Sequence, residues 1–172
     1  MEKHFSRTED ILEKDSQLIQ LVGFNIGKAP FGVDILMVQE IIRMVPITSV
    51  PNSPNFIEGV INLRGNIIPV IDLRKRLSLE GTTGKGANTR ILIIQVNERV
   101  TGFIVDSVSK VLKIQGESIE PPPEIVVAGL KSKYIHGVCK LDDTLLILLD
   151  FGRILQLHEI KKLKEFELPT IQ

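Results

Sequence analysis

The segment GVINLRGNIIPVIDL at residues 59–73 recurs in altered form as GVCKLDDTLLILLDF at residues 137–151, and this repetition restricts the fold more than any single stretch of the chain. Each copy carries Gly-Val, a Leu at the fifth position, a polar turn, an apolar run, and then Asp followed by an apolar residue. The runs at 67–71 and 145–149 are too short for buried helices and rich in Val, Ile and Leu, which predicts strands buried on both faces. The polar stretch before each run predicts a hairpin turn, with Gly65 free to take positive φ. The copies diverge at these turns, where Asn62, Arg64 and Gly65 stand opposite Lys140, Asp142 and Asp143.

The repeat extends upstream. Leu21, Phe24, Ile26, Gly32, Val38, Ile41, Ile42, Arg43 and Pro51 match Ile91, Ile94, Val96, Gly102, Val108, Val111, Leu112, Lys113 and Pro121 at a constant separation of 70 residues. Beyond the prolines the separation becomes 78, so the second half holds additional residues between Pro121 and Gly137. Two similar modules follow from this pattern. Within each, an apolar stretch breaks at Gly27-Lys28 or at Asn97-Glu98, which predicts a hairpin.

The stretch ILMVQEIIRMV fits either a strand pair with a bend or a short helix, but its partner VDSVSKVLKI is richer in β-branched residues, which favours strand for both. Pro46, Pro51 and Pro54 exclude a helix interior or central strand, leaving an ordered loop. Asp72 and Asp150 each precede a short helical stretch and are expected to cap it, a better account of them than a catalytic pair. The Gly- and Thr-rich segment at 81–89 is a link; its likeness to a phosphate loop fails at Leu79 and Gly86. A proline-stiffened connector is expected at 117–125, and a helix packed by one narrow face near the C-terminus.

Composition narrows the function. In 172 residues, 21 basic and 21 acidic side chains cancel, so there is no global field to draw nucleic acid or an anionic membrane. The single cysteine, Cys139, forms no internal disulfide and fits a reducing compartment. The charged N-terminal stretch lacks the apolar core of a secretory signal, and no uncharged apolar run approaches the ~20 residues of a spanning helix. A cytoplasmic protein is expected. His4, His136 and His158 are scattered, without the spacing of a metal site or catalytic motif, so neither catalytic residues, metal nor cofactor is expected. One Tyr and no Trp leave no stacking platform for single-stranded nucleic acid.

The segments VDILMVQEI at 33–41, FIEGVINLRGNIIPVIDLRKRL at 56–77, TGFIVDSVSKV at 101–111 and Pro-Pro-Pro-Glu at 121–124 resemble the CheW family of bacterial chemotaxis coupling proteins. The resemblance runs from about residue 18 to about residue 157. It implies a mainly β fold of two similar SH3-like five-stranded β-barrels, with short helices and a C-terminal helix. The expected boundaries are a polar tail at 1–17, a first barrel at about 18–80, a link at 81–89, a second barrel at about 90–151 and the helix at about 152–167, with the exchange of strands between the barrels left open. Family members are adaptors without known catalysis that bridge the cytoplasmic tips of chemoreceptors to the histidine kinase CheA, whose regulatory domain shares the fold. The family's receptor groove lies between the barrels, and it maps here onto Val38, Glu40, Gly59, Arg64 and Ile67. The family's kinase contact maps onto Ile125, where members often carry an aromatic residue. Strand spacing puts Val38 and Glu40 on one face. An alternative use of the inter-barrel cleft is to bind a small molecule, as in a sensor or enzyme.

Overall fold

The computed structural model describes residues 17–81, 86–124 and 132–155. The expected N-terminal tail, the C-terminal helix beyond residue 155 and Ile125 lie outside the described residues. The first half supplies strands β1 (Leu18–Ile26), β2 (Ala29–Asp34), β3 (Val38–Arg43), β4 (Ile57–Leu63) and β5 (Asn66–Asp72), followed by helix α1 (Leu73–Arg76). The second supplies β6 (Arg90–Val96), β7 (Arg99–Val105), β8 (Ser107–Gln115), the short β9 (Ile119–Glu120), β10 (Ile135–Leu141) and β11 (Thr144–Leu149), followed by helix α2 (Phe151–Ile154). The hairpins turn where expected: at Gly27 (φ 61), at Asn97 and Glu98 (φ 49 and 66), and at Arg64-Gly65 (φ 51 and 88). Asp72 accepts from the amides of Arg74 and Lys75 at 3.0 and 3.4 Å, and Asp150 from that of Arg153 at 3.1 Å, so both aspartates are helix caps.

The strands form a six-stranded sheet in the order β8-β1-β2-β11-β10-β9 and a five-stranded sheet in the order β3-β6-β7-β5-β4. The first two strands of each half therefore join the last strands of the other half. Neither sheet is contiguous in sequence: the halves at about 18–80 and 90–151 exchange strands, a point that the sequence left open. Period-two burial fixes which face a strand presents but not which strand lies beside it. In each sheet the two edge strands are also close in the chain. β8 passes through a single 3-10 turn to β9, and Thr48, shortly after β3, bridges to Val60 on β4. The five-stranded sheet is thereby bent round until its edges meet, and in the six-stranded sheet the 3-10 turn joins the edges through the chain.

The repeat holds residue by residue in the registers. Leu21 pairs with Leu112 as Ile91 pairs with Ile42, Gly59 with Val70 as Gly137 with Leu148, and Val70 with Gly102 as Leu148 with Gly32. The bulge that interrupts β4 between Ile57 and Gly59 has its counterpart between Ile135 and Gly137.

β6 and the later residues of β1, β5 and β11 are largely apolar and buried on both faces; Ile67, at the start of β5, is half exposed, which corrects the expectation for that residue. In β6, Ile91 and Ile93 turn into the five-stranded sheet with Ile61, Ile68 and Val70, while Leu92, Ile94 and Val96 join Phe24, Phe31 and Phe103 in a layer shared by both sheets. Leu21, Leu146, Leu148 and Cys139 fill the six-stranded sheet in the same way. Burial of this kind is the main stabilising term, at about 25 cal/mol per Å² of apolar surface removed from water.

Helix α1 ties the sheets together through Arg76. Its guanidinium lies 4.9 Å from the ring centroids of both Phe56 and Tyr134, and its Nε donates to the Ile154 carbonyl at 3.0 Å. Two cation–π contacts and one hydrogen bond are together worth about 2 kcal/mol. Arg76→Ala is expected to lower the melting temperature by about 4–8 °C in a calorimetric scan. Arg76→Lys should recover only part of this, since an ammonium does not stack as a plane.

Lys75, on the same helix, donates to Glu58 Oε1 at 2.6 Å. That hydrogen bond raises the Lys75 pKa above the ordinary 10.5, against the opposing effect of burial and with help from the Glu58 and Asp72 charges. Because the folded value lies above the unfolded one, the stabilisation is fully present below pH 10.5 and is lost as pH rises through the folded pKa. The melting-temperature difference between wild type and Lys75→Met should thus be constant from roughly pH 7 to 9 and shrink only in stronger alkali, and it should stay small, as for other exposed pairs.

Candidate partner-binding site

Val38, Glu40, Gly59, Arg64 and Ile67 all belong to the five-stranded sheet. Glu40 lies on edge strand β3, and Arg64 at the tip of the hairpin that joins β4 to β5. In the flat strand order these elements are far apart; the bending of the sheet brings them together. Arg64 Nη1 donates to Glu40 Oε2 at 2.8 Å, and its Nη2 donates to Oε1, making a two-pronged ion pair. The pair is a surface feature, with the Arg64 side chain 67% and the Glu40 side chain 32% exposed.

The turn that presents Arg64 is built by its neighbours. The Gly65 amide donates to Asn62 Oδ1 at 2.8 Å, and Gly65 takes the positive φ that a two-residue hairpin requires. Arg64 itself sits at φ 51, a backbone state that sequence reasoning assigned to Gly65 alone. Ile67, just beyond the turn, is 50% exposed, which is unusual for an isoleucine in a strand whose later residues are buried.

The expectation that Val38 and Glu40 share a face is corrected by a bulge. Val38 pairs with Ile94, yet Glu40 pairs with Ile93, so the strand gains a residue between them. Residues directly opposite in a pair share a side. Val38 accordingly packs on the layer between the sheets, as Ile94 does, whereas Glu40 turns to the side of Ile93 and Ile42 and meets Arg64.

Gly59 is buried, and its role is visible in the backbone. It sits at φ 147, and a Cβ there would lie 2.0 Å from the Thr48 carbonyl oxygen. The crossing of the 44–56 loop over β4 needs this position empty.

The arginines of α1 were read from the sequence only as part of a helical turn. The pattern of two arginines flanking a lysine after an N-cap carries no mark of where their head groups go. Among the described residues no group of three His, Cys, Asp or Glu could hold a metal ion, and no helix is long and apolar enough to cross a membrane.

A family model described as a CheW-like domain matches residues 20–159. The chain is 40% identical over 137 residues to a chemotaxis protein CheW of Klebsiella aerogenes, covering 80% of this chain and 81% of that one. It is 33% identical to a chemotaxis protein CheW of Treponema pallidum, with 87% of this chain and 89% of that one covered. Among solved structures, the scaffolding protein TtCheW from Thermoanaerobacter tengcongensis superposes with a TM-score of 0.76 at 36% identity, over 83% of this chain and 91% of that one.

Proposed function

Because the chain belongs to the CheW family, we propose that it is a cytoplasmic adaptor that couples chemoreceptor tips to the histidine kinase CheA in membrane-associated arrays, without catalysis or cofactor. The observation that carries this reading is the exposed Glu40–Arg64 pair with Ile67 half-exposed beside the same hairpin. A receptor tip is a helical hairpin. A helix laid on an apolar surface is held by a few aliphatic contacts and fixed in register by charges, and this surface offers both. Val38 and Gly59 support the contact from beneath, one by packing and the other by admitting the 44–56 loop. Ile125, which follows β9 in the sequence and lies outside the described residues, is assigned to the kinase contact. Neither nucleic acid nor membrane insertion belongs to this reading.

A metabolite-binding role is less well supported. A cavity of about 210 Å³ opens in the six-stranded sheet, lined mainly by apolar groups such as Ile19, Met37 and Phe151. It is smaller than the roughly 300–1,000 Å³ of typical small-molecule sites; a second, wider opening of about 500 Å³ beside β1, bordered by Gln20, Leu36 and Lys113, is open to solvent, and none of the five residues above lines either one. On a sizing column, the purified chain should co-elute with CheA and a receptor fragment as one ternary species. Elution of the chain with neither partner would refute the adaptor role.

A further inference from the structure

Arg74 is 8% exposed, the most deeply buried cation among the described residues, and the proposed partner contacts do not use it. Its Nη2 donates to Asp106 Oδ2 at 2.5 Å and its Nη1 to the Glu80 carbonyl at 2.5 Å. The same Asp106 oxygen accepts from the Gly27 amide at 2.5 Å, and the Asp106 amide donates to the Asn25 carbonyl at 3.0 Å. Arg74 stands on α1, which continues the five-stranded sheet. Gly27 and Asn25 belong to the β1–β2 hairpin of the six-stranded sheet, and Asp106 is the single residue between β7 and β8, where the chain crosses from one sheet to the other. One partly buried charge pair, with Arg74 the more deeply buried partner, thus pins this crossing to both sheets.

Among the described residues the other crossing has no such pin. By the repeat, the counterpart of Asp106 is Leu36 and that of Arg74 is Gly152. Leu36 lies in the 3-10 turn Ile35–Met37 between β2 and β3 and is 90% exposed. The two crossings, equivalent in topology, differ in whether a charged side chain ties them to both sheets.

Burial is not the reason to keep such a pair. A buried ion pair is often no better for stability than apolar packing, and here Arg74 Nε is left without a hydrogen-bond partner. What the pair adds is direction. The shared apolar layer holds the sheets in contact, but hydrophobic attraction is non-directional. We propose that the Arg74–Asp106 clamp sets the relative orientation of the two sheets, which makes Arg74 a positioning residue for simultaneous engagement of two partners. The second part rests on the adaptor reading above, which assigns the receptor to the five-stranded sheet and the kinase to Ile125, after β9 in the sequence. Without the clamp the sheets keep the shared apolar layer, the Arg76 contacts and the Asp106–Asn25 backbone bond, and each partner surface survives while their mutual geometry shifts.

Residual dipolar couplings of the backbone amides test the clamp in wild type, Arg74→Lys and Asp106→Asn. Wild type should fit one alignment tensor over both sheets. Each variant should keep a good fit within each sheet but require two tensors, with affinity for each partner alone within about twofold of wild type and about tenfold weaker assembly of the ternary complex. A single tensor that fits both sheets in both variants would overturn the clamp. If Arg74→Lys fails to fold, Asp106→Asn decides, and unfolding of both would show the pair to be a stability element and likewise overturn the proposal. Should wild type form no ternary complex, the adaptor reading fails while the tensor result still stands on its own.

Discussion

Gly59→Ala is expected to lower the melting temperature by about 6–20 °C. The backbone there takes φ 147, and placing a side chain in such a region costs about 1–3 kcal/mol. The new Cβ would also meet the Thr48 carbonyl oxygen at 2.0 Å, and backbone cannot swing aside as a flexible side chain can. Moving it breaks the two Thr48–Val60 hydrogen bonds of 2.9 Å, each worth about 1 kcal/mol. The total of about 3–5 kcal/mol converts at roughly 2–4 °C per kcal/mol for a chain of this size. Gly65→Ala is the control, because Gly65 has positive φ (88) but nothing within 4 Å of an added Cβ. It should lose only the conformational part, about 1 kcal/mol. Equal losses at the two positions, read by circular dichroism melts, would mean that crowding against Thr48 is not what Gly59 relieves.

Arg64→Ala should behave in the opposite way, sparing the fold and weakening partner binding. The Glu40–Arg64 pair is solvent-exposed, and such pairs contribute about 0–1 kcal/mol. The turn does not depend on Arg64, since Asn62 and Gly65 close it. Melting should therefore shift by less than about 4 °C. Loss of a charged contact to a receptor helix costs about 1–3 kcal/mol, or about 5- to 150-fold in affinity. Glu40→Ala should weaken receptor binding as well. The double variant should lose less than the sum, because the two side chains hold one another in place. Titration against receptor fragment and against CheA separately should show the loss only for the receptor. A melting decrease above about 5 °C in both single variants would make the pair a structural element instead.

Much of the fold is legible in the sequence because the repeat carries glycines, prolines and aspartates along with its apolar pattern. The two aspartate caps, the hairpin turns and the strand nature of residues 38–43 and 107–115 all follow from local chemistry, which acts within a few residues. The exchange of strands does not, because β2 pairs with β11 across more than half the chain and side-chain alternation is blind to partners. The bulge between Val38 and Glu40 is likewise invisible from strand spacing, yet it sends the two side chains to opposite sides. Gly59 was assigned by resemblance to the receptor contact, and its crowding against Thr48 shows only when the loop is folded over it. Arg74 carried no signal at all, since its partner Asp106 is 32 residues away and lies at a junction the sequence does not mark.

The central claim is that one molecule of this chain holds two partners through different surfaces. Immobilised CheA regulatory domain tests it most directly by surface plasmon resonance. Receptor fragment alone should give no response, receptor fragment with the wild-type chain should be captured, and the Arg64→Ala chain should bind the surface as wild type does while failing to bring the receptor with it. Capture of the receptor by CheA without the chain, or loss of CheA binding by Arg64→Ala, would contradict separate surfaces on one adaptor.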